Sequence, residues 1–280
     1  MEVRPQTLYI VGTPIGNLAD MTLRAIEVLQ KVDLIAAEDT RHTAILLQHF
    51  QIATPQISFH SYNSQARLPE LLAKLQHHSL ALVTDAGMPT ISDPGLTLVR
   101  ACVQAGFRVV PIPGVTAGVT ALVGSGLDTD RFVFEGFLPL EQHLRQARIE
   151  ALCTETRTVI LYEAPHRLVT TLADLVRILG ETRPLVVARE LTKQFEEFYR
   201  GTLGSALAHF QQFPPKGEFT LVLGGVAPQT VWTTSQIMAE LQQLIAQGMS
   251  RSAASRHLAE LTKISKRQIY QWSLQIEDKS

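Results

Sequence analysis

From residue 8 to residue 114, short apolar runs rich in β-favouring residues alternate with stretches whose apolar positions recur every three or four residues. The runs are LYIVG (8–12), VDLIAAE (32–38), ISFH (57–60), LALVTD (80–85) and RVVPIPG (108–114). Between them, residues 22–31, 68–76 and 96–106 carry the helical spacing, the last ended by Gly106 in the manner of a C-cap. Strand-length runs separated by helix-length ones predict a parallel sheet with helical crossovers.

Past the small-residue stretch PGVTAGVTALVGSG (113–126) the rhythm changes. Runs at 132–137, 158–164, 184–190, 196–203 and 218–225 follow, and only a short helix near 205–213 separates the last three. Such spacing predicts a mixed, partly antiparallel sheet. The expected organisation is therefore an α/β protein with an N-terminal domain over 1–117, a second α/β domain over 118–228 and a helical module over 229–280. In that module, helical patterns run over 235–249, 250–261 and 266–276, with Ser252 and Ser265 as N-caps. Ala254, Leu258, Leu261, Ile269 and Trp272 form its apolar stripe, a helix-turn-helix-like pattern.

Composition narrows the class. With 280 residues, 45% of them hydrophobic, the chain fills real cores. It has no run of about 18 apolar residues and no N-terminal leader pattern, so neither export nor membrane spanning is expected. Cys102 and Cys153 sit singly in apolar helical patterns, which fits a reducing cytoplasm and no metal knuckle. Net charge is −1 but uneven: Arg251, Arg256, Lys263, Lys266 and Arg267 face a single acid, Glu260, over residues 250–270. That basic segment suits either a solvated face or a nucleic-acid contact, and Lys266, Arg267 and Gln268, opening the last helix, favour RNA.

Ligands of open parallel sheets bind where crossover loops leave the strand ends. Four loops there are unusual. GTPIGN (12–17) has glycines that let a ligand approach the backbone, yet it is neither a dinucleotide fingerprint nor a P-loop. EDTRHT (38–43) sets four ionisable groups after a strand, as a reactive cluster or as a helix start capped by Asp39 or Thr40. TDAGMPTISDPG (84–95) combines Gly87 and Gly95, which permit positive φ, with the rigid Pro89 and Pro94; its free carbonyls suit a neutral or cationic ligand better than phosphate. In PIPGVTAG (111–118), Gly114 leads into a helix whose amides can hold a carboxylate.

Taken in order, LYIVGTPIGNLADMTLRA, AAEDTRHT, FHSYNSQ, LVTDAGMPTISDPG, PIPGVTA, FEGFLP, LYEAPHR, ARELTKQFEEFYRGTL and GEFTLVL resemble the rRNA-modifying branch of the tetrapyrrole methylase-like superfamily, over nearly the whole chain. The usual GxGxG-like first loop and GDP motif of tetrapyrrole methylases are replaced here by GTPIG and TDAGMP, as in that branch. The resemblance implies S-adenosylmethionine (SAM) in a cleft between the two α/β domains, S-adenosylhomocysteine as product, no metal, and a cytoplasmic homodimer. It also implies a substrate, the ribose 2′-hydroxyl of a cytidine in the decoding region of 16S rRNA, within the small ribosomal subunit. By position in the motifs, Ile15, Asp85, Met88, Thr116, Ala117 and Tyr162 are candidate SAM contacts, with Gly12, Pro14, Gly87 and Pro89 shaping the same loops. Asp85 fits either a role at the donor's polar groups or a loop cap.

Methyl transfer to a hydroxyl needs in-line geometry and loss of a proton. Asp39, Arg41 and His42, then Glu163, His166 and Arg167, and finally Arg189, Glu190 and Lys193 are the candidate catalytic groups, arginines for phosphates and carboxylates for orientation or the proton. Each fits a structural ion-pair network equally well. His60 and Asn63 are weaker candidates. For RNA, the candidates are Arg256, Lys266, Arg267 and Gln268. Two other functions stay compatible with the residues, a small-molecule tetrapyrrole methylase and a non-catalytic RNA-binding assembly protein.

Overall fold

The computed structural model describes residues 2–227, 232–262 and 264–276. Two compact units emerge, residues 1–226 and 227–280. The expected boundary at 228/229 and Lys263 lie outside the described residues.

The first unit begins with a five-stranded sheet in the order β3-β2-β4-β1-β5, built from β1 (Thr7–Val11), β2 (Leu34–Ala37), β3 (Gln56–Ser58), β4 (Ser79–Val83) and β5 (Arg108–Ile112). Every pairing is parallel. Helices α1 (Leu23–Lys31), α2 (Thr40–His49), α3 (Ser64–Leu75) and α4 (Leu96–Gln104) make the crossovers. Because side chains alternate along a strand, the central strands β1, β2 and β4 each feed two cores. Tyr9, Val11, Ile35, Ala37, Ala81 and Val83 pack with Val28, Leu29 and Leu46 of α1 and α2. Their neighbours Leu8, Ala36, Leu80 and Leu82 pack with Leu71, Leu75, Leu98 and Cys102 of α3 and α4. Burial on both faces explains why these strands read as continuous apolar runs.

Helix α5 (Ala117–Ser125) leads into a second sheet of order β6-β7-β10-β8-β9, formed by β6 (Phe132–Phe137), β7 (Thr158–Glu163), β8 (Pro184–Arg189), β9 (Glu197–Thr202) and β10 (Phe219–Leu223). Only β6 and β7 pair in parallel; β10 runs antiparallel to both of its neighbours, and β9 to β8. Period two again divides the side chains. Val159, Leu161, Leu185, Val187 and Leu221 build one core with α6 (Gln142–Glu150), α7 (Pro165–Leu179) and α8 (Leu203–Gln212). Ile160, Val186, Ala188 and Val222 turn to the opposite face, where Ala121 and Leu122 of α5 and Ile15 from the first sheet's loops join them. Ile15 is thus the point where the two sheets share a core. Cys102 is buried in α4 and Cys153 is exposed in a 3-10 turn; both are free thiols.

The second unit packs α9 (Thr234–Ala246), α10 (Arg251–Thr262) and α11 (Lys266–Ser273) through Ile237, Leu241, Ala254, Leu258 and Ile269. Two sequence expectations are corrected here. Ser252 lies inside α10, and it is the Ser250 hydroxyl that accepts the Ala253 N–H at 3.3 Å. Leu261 is 55% exposed, because the apolar face is completed from α9 instead. Ser265 caps α11 as expected, accepting the Gln268 N–H.

Candidate active site

The carboxyl ends of β1, β4 and β5 meet the ends of β6 and β7 and the start of β10, and their loops line a cavity of about 350 Å³. One wall comes from the first sheet: Ile15, Gly87, Met88 and the Thr116–Ala117 pair that opens α5. The facing wall is Phe137, Tyr162, Glu163 and the Glu218–Thr220 segment.

Close backbone approach builds the first wall. Gly12 donates its N–H to Ile112 at 3.2 Å, and Thr13 and Gly87 exchange both N–H···O bonds at 2.9 and 3.0 Å. Gly87 is left-handed at φ 79, which frees it to turn the chain toward Met88. The Thr13 hydroxyl donates to the Thr84 carbonyl at 3.0 Å, closing the contact between the two loops. On the opposite wall the Tyr162 hydroxyl accepts the Gly118 N–H at 3.0 Å and so ties the first turn of α5 to β7. Phe134 and Phe137 pack edge-on against the Tyr162 ring.

Behind the Thr13–Gly87 contact lies a second cavity of about 230 Å³. Alternation along the β1 loop divides its side chains between the two: Pro14 and Gly16 line the smaller cavity and Ile15 the larger. The β4 loop passes from one to the other, with Thr84 and Asp85 lining the smaller space and Ala86, Gly87 and Met88 the larger.

The residues singled out from the sequence are therefore distributed. Ile15, Gly87, Met88, Thr116, Ala117 and Tyr162 come together around the larger cavity, and Pro14, Asp85 and His42 border the smaller one. Gly12 is packed beneath both against Gly114 and Met88, and Pro89 lines neither cavity. Asp39 caps α2 and is gripped by Arg41 at 2.6 and 3.0 Å, which holds its carboxyl far below the usual range. Glu163 is buried, accepting from Thr171 at 2.6 Å and Ala164 N–H at 2.8 Å, with the Arg167 guanidinium at 3.3 Å. His166 is exposed. Arg189 donates to the Lys216 carbonyl at 2.7 Å, and Lys193 bridges Glu190 and Glu218 at 3.0 and 2.9 Å. The Asn63 amide oxygen accepts the His60 N–H, closing the turn after β3. Arg256, Lys266, Arg267 and Gln268 are all exposed in the second unit.

Sequence reasoning passed over Asp93, Phe137, Glu218 and Thr220, which line the larger cavity. Asp93 is the most informative of them. Burial, followed by the nearby carboxylates of Glu38 and Asp85, pushes its carboxyl up to about 7. Burial likewise raises Glu38. The loop presents Asp93 through left-handed backbone at two non-glycine residues, Thr90 (φ 78) and Ser92 (φ 63). Strain of that kind persists only where the surroundings enforce it, and it clusters at functional sites. Its sequence signal is the second aspartate of TDAGMPTISDPG, in a loop too elaborate for a connector. Among the described residues, no group of three or more histidines, cysteines or carboxylates is placed to hold a metal ion. No helix among them is long and apolar enough to cross a membrane.

Residues 7–207 match the family of tetrapyrrole (corrin/porphyrin) methylases. A Synechocystis protein named ribosomal RNA small subunit methyltransferase I is 59% identical over 273 residues, covering 96% of this chain and 98% of its own. Its Escherichia coli namesake is 47% identical over 271 residues, covering 96% of this chain and 94% of its own. Among solved structures, a uroporphyrin-III C-methyltransferase from Thermus thermophilus, complexed with S-adenosylhomocysteine, superposes with a TM-score of 0.55 at 19% identity, over 78% of this chain and 97% of that one. At that identity the likeness is one of fold.

Proposed function

The chain belongs to the tetrapyrrole (corrin/porphyrin) methylase family, among the relatives named ribosomal RNA small subunit methyltransferase I, and we propose that it transfers a methyl group from SAM to the ribose 2′-hydroxyl of a cytidine in the decoding region of 16S rRNA. The observation that carries the cofactor assignment is the larger cavity, where six of the residues picked from the motifs converge from separate loops. Two relatives named ribosomal RNA small subunit methyltransferase I, 59% and 47% identical and each covering 96% of the chain, carry the substrate class.

The cavity suits SAM chemically. Its walls mix apolar side chains with exposed backbone, and the first turn of α5 begins at Thr116–Ala117, where free amides favour a carboxylate. Met88 and Ile15 offer apolar surface to an adenine ring, and Asp93 offers a counter-charge to a cation. When bound, the donor supplies an electrophilic methyl group on a sulfonium. Around it, Tyr162 fixes the distance between α5 and β7 through its bond to Gly118, so the cavity is held at one width. Excluding water there strengthens every charge interaction and favours in-line approach of a hydroxyl. Asp93, with a carboxyl that titrates near neutrality, is poised to take the hydroxyl proton.

The arginine-rich groups have supporting parts in this reading. Asp39–Arg41 orders the start of α2, and the Lys193–Glu190–Glu218 bridge draws the β8 end to the start of β10. Exposed Arg256, Lys266, Arg267 and Gln268 are the RNA-facing residues of the helical unit. A homodimer is supported by the exposed apolar side chains Val119 and Val123 of α5 and Phe134 of β6, since exposed apolar surface marks association faces. The reaction takes place in the cytoplasm on the small subunit.

Incubation with methyl-labelled SAM and small subunits lacking native methylation, beside naked rRNA, tests the reading. Label on a decoding-region ribose is the expected result. SAM binding with no label in either RNA overturns it in favour of a small-molecule methylase.

A further inference from the structure

The smaller cavity, of about 230 Å³, has no part in the reaction as described above. We propose that it is a slot for the target nucleobase, turned out of the RNA, and that Asp85 selects a base carrying an exocyclic amino group. The proposal rests on the RNA methyltransferase reading and extends it from the donor to the base.

Its position is the first argument. The slot and the larger cavity share one wall, the hydrogen-bonded Thr13–Gly87 contact, and consecutive residues of the same two loops face opposite sides of it. A nucleoside whose ribose presents a hydroxyl to a methyl donor needs a separate place for its base a few ångströms away. Enzymes acting on nucleotides meet that need by extruding the base into a snug pocket, at a cost of a few kcal/mol in lost stacking.

The lining is the second argument. Pro14, Leu18 and Ile45 give the apolar faces between which a planar ring can stack, and Ile45 is 62% exposed on α2 although it is apolar. Polar groups line it as well. Asp85 Oδ1 accepts the Asp39 N–H at 3.2 Å, and Oδ2 makes no hydrogen bond with the described residues. Asn17 Oδ1 accepts the Ala19 N–H at 3.1 Å, which fixes the amide and leaves its NH₂ as a donor. Thr84, only 1% exposed, also lines the slot.

A free carboxylate oxygen and an amide donor in one cavity are the groups that complement an amino group next to a ring acceptor. Cytosine has that pattern in its N4 amino group and N3. Uracil reverses it, with an O4 acceptor beside an N3–H donor, and would set O4 against the Asp85 carboxylate. The slot is thereby specific for cytosine among the pyrimidines.

The experiment uses the full-length protein and unmethylated small subunits carrying either cytidine or uridine at the mapped target, with SAM affinity measured by calorimetry for every variant. Wild-type protein should prefer cytidine by roughly 10- to 100-fold. Asp85→Asn, whose amide can donate to O4, should bring that ratio to within about threefold while SAM affinity stays unchanged. Ile45→Arg, a change at an exposed helix position that fills the slot, should slow methylation roughly 100-fold, again at unchanged SAM affinity. Full activity of Ile45→Arg overturns the proposal, as does an Asp85→Asn protein that loses SAM affinity and keeps its base preference. Wild-type protein that labels neither subunit overturns the methyltransferase reading itself, and the slot assignment falls with it.

Discussion

Gly12 and Gly114 meet backbone to backbone: a methyl built on Gly12 lies 2.7 Å from the Gly114 Cα, and one built on Gly114 lies 2.8 Å from the Gly12 Cα. Neither residue has a positive φ, so close approach alone demands glycine here. The contact continues the β1–β5 pairing beyond the sheet and seats Met88, whose sulfur lies 2.6 Å from the same Gly12 methyl. Gly114→Ala should part the two loops, destabilise the fold by roughly 1–3 kcal/mol and weaken SAM binding about tenfold or more. Gly106→Ala is the control: open space surrounds it, so it should lower the melting temperature through its φ of 77 without moving the SAM dissociation constant. Calorimetry and thermal denaturation of both variants check the pair.

Asp93 makes donor binding pH-dependent. An unfolded aspartate titrates near about 3.9, whereas burial and the Glu38 and Asp85 carboxylates push Asp93 up to about 7 in the folded protein. The folded chain holds its proton more tightly than the unfolded chain does. This group's contribution to stability is therefore largest at low pH and falls as pH rises from about 4 to about 7. A sulfonium reverses the preference by favouring the ionised carboxylate, which also faces Tyr162 and shares its cavity with Glu163 and Glu218. SAM affinity should rise with pH up to about 7, approaching tenfold per unit, and level off above it. S-adenosylhomocysteine, which lacks the cation, should show no such slope. Calorimetry across this range in wild type and Asp93→Asn decides the matter; an equal slope in the variant removes Asp93 from the effect.

Periodicity made both sheets legible, because strands buried on both faces and strands split between two cores are each written in runs of fixed length. Helix α7 was less legible: EAPHRLVTTLADLVRIL begins with a turn-like Ala-Pro pair, and Pro165 proves to be its first residue, the one helical position where a missing N–H costs nothing. The loops around the larger cavity were readable as motifs, since close approach and tight turning restrict residue choice. Asp85 and Pro14 were candidates for the donor by position in the motifs, and they border the smaller cavity rather than the larger one. Pairing between distant loops decides such facing, and local pattern does not encode it. The raised Asp93 carboxyl was equally out of reach, because burial dominates it, Glu38 comes from another strand end and Asp85 meets it only through the folding of their shared loop.

Glu163, a candidate base by sequence, is buried and already hydrogen-bonded, which favours a positioning role. Its carboxylate is 3% exposed and already accepts from Thr171 and from the Ala164 N–H beside Arg167. Arg167 in turn donates to the Leu138 carbonyl at 2.8 Å, joining the β6 end to α7. Glu163→Gln leaves that guanidinium partly buried without its counter-charge, and breaking a buried pair costs about 3–5 kcal/mol. The expected result is a clear drop in melting temperature with residual turnover per folded molecule within about tenfold of wild type. A protein of unchanged stability with no turnover would instead make Glu163 the base.

Salt dependence separates the basic residues of the helical unit by role. Arg251 is occupied: its guanidinium bonds the Ser273 carbonyl and, at 2.7 Å, the Ile276 carbonyl, tying the start of α10 to the end of α11. Its replacement by alanine should loosen the unit. Arg256, Lys266 and Arg267 are exposed and contribute nothing to the core of Ile237, Leu241, Ala254, Leu258 and Ile269, so their charges are available to phosphates. Each alanine replacement there should reduce the slope of log affinity against log salt by about 1, because one fewer counterion is released on binding. SAM affinity and melting temperature should not move, since neither the cavity nor the helical core is touched. Filter binding of rRNA over a salt series measures the slope, and three unchanged slopes would leave the unit a structural appendage whose basic face is merely solvated.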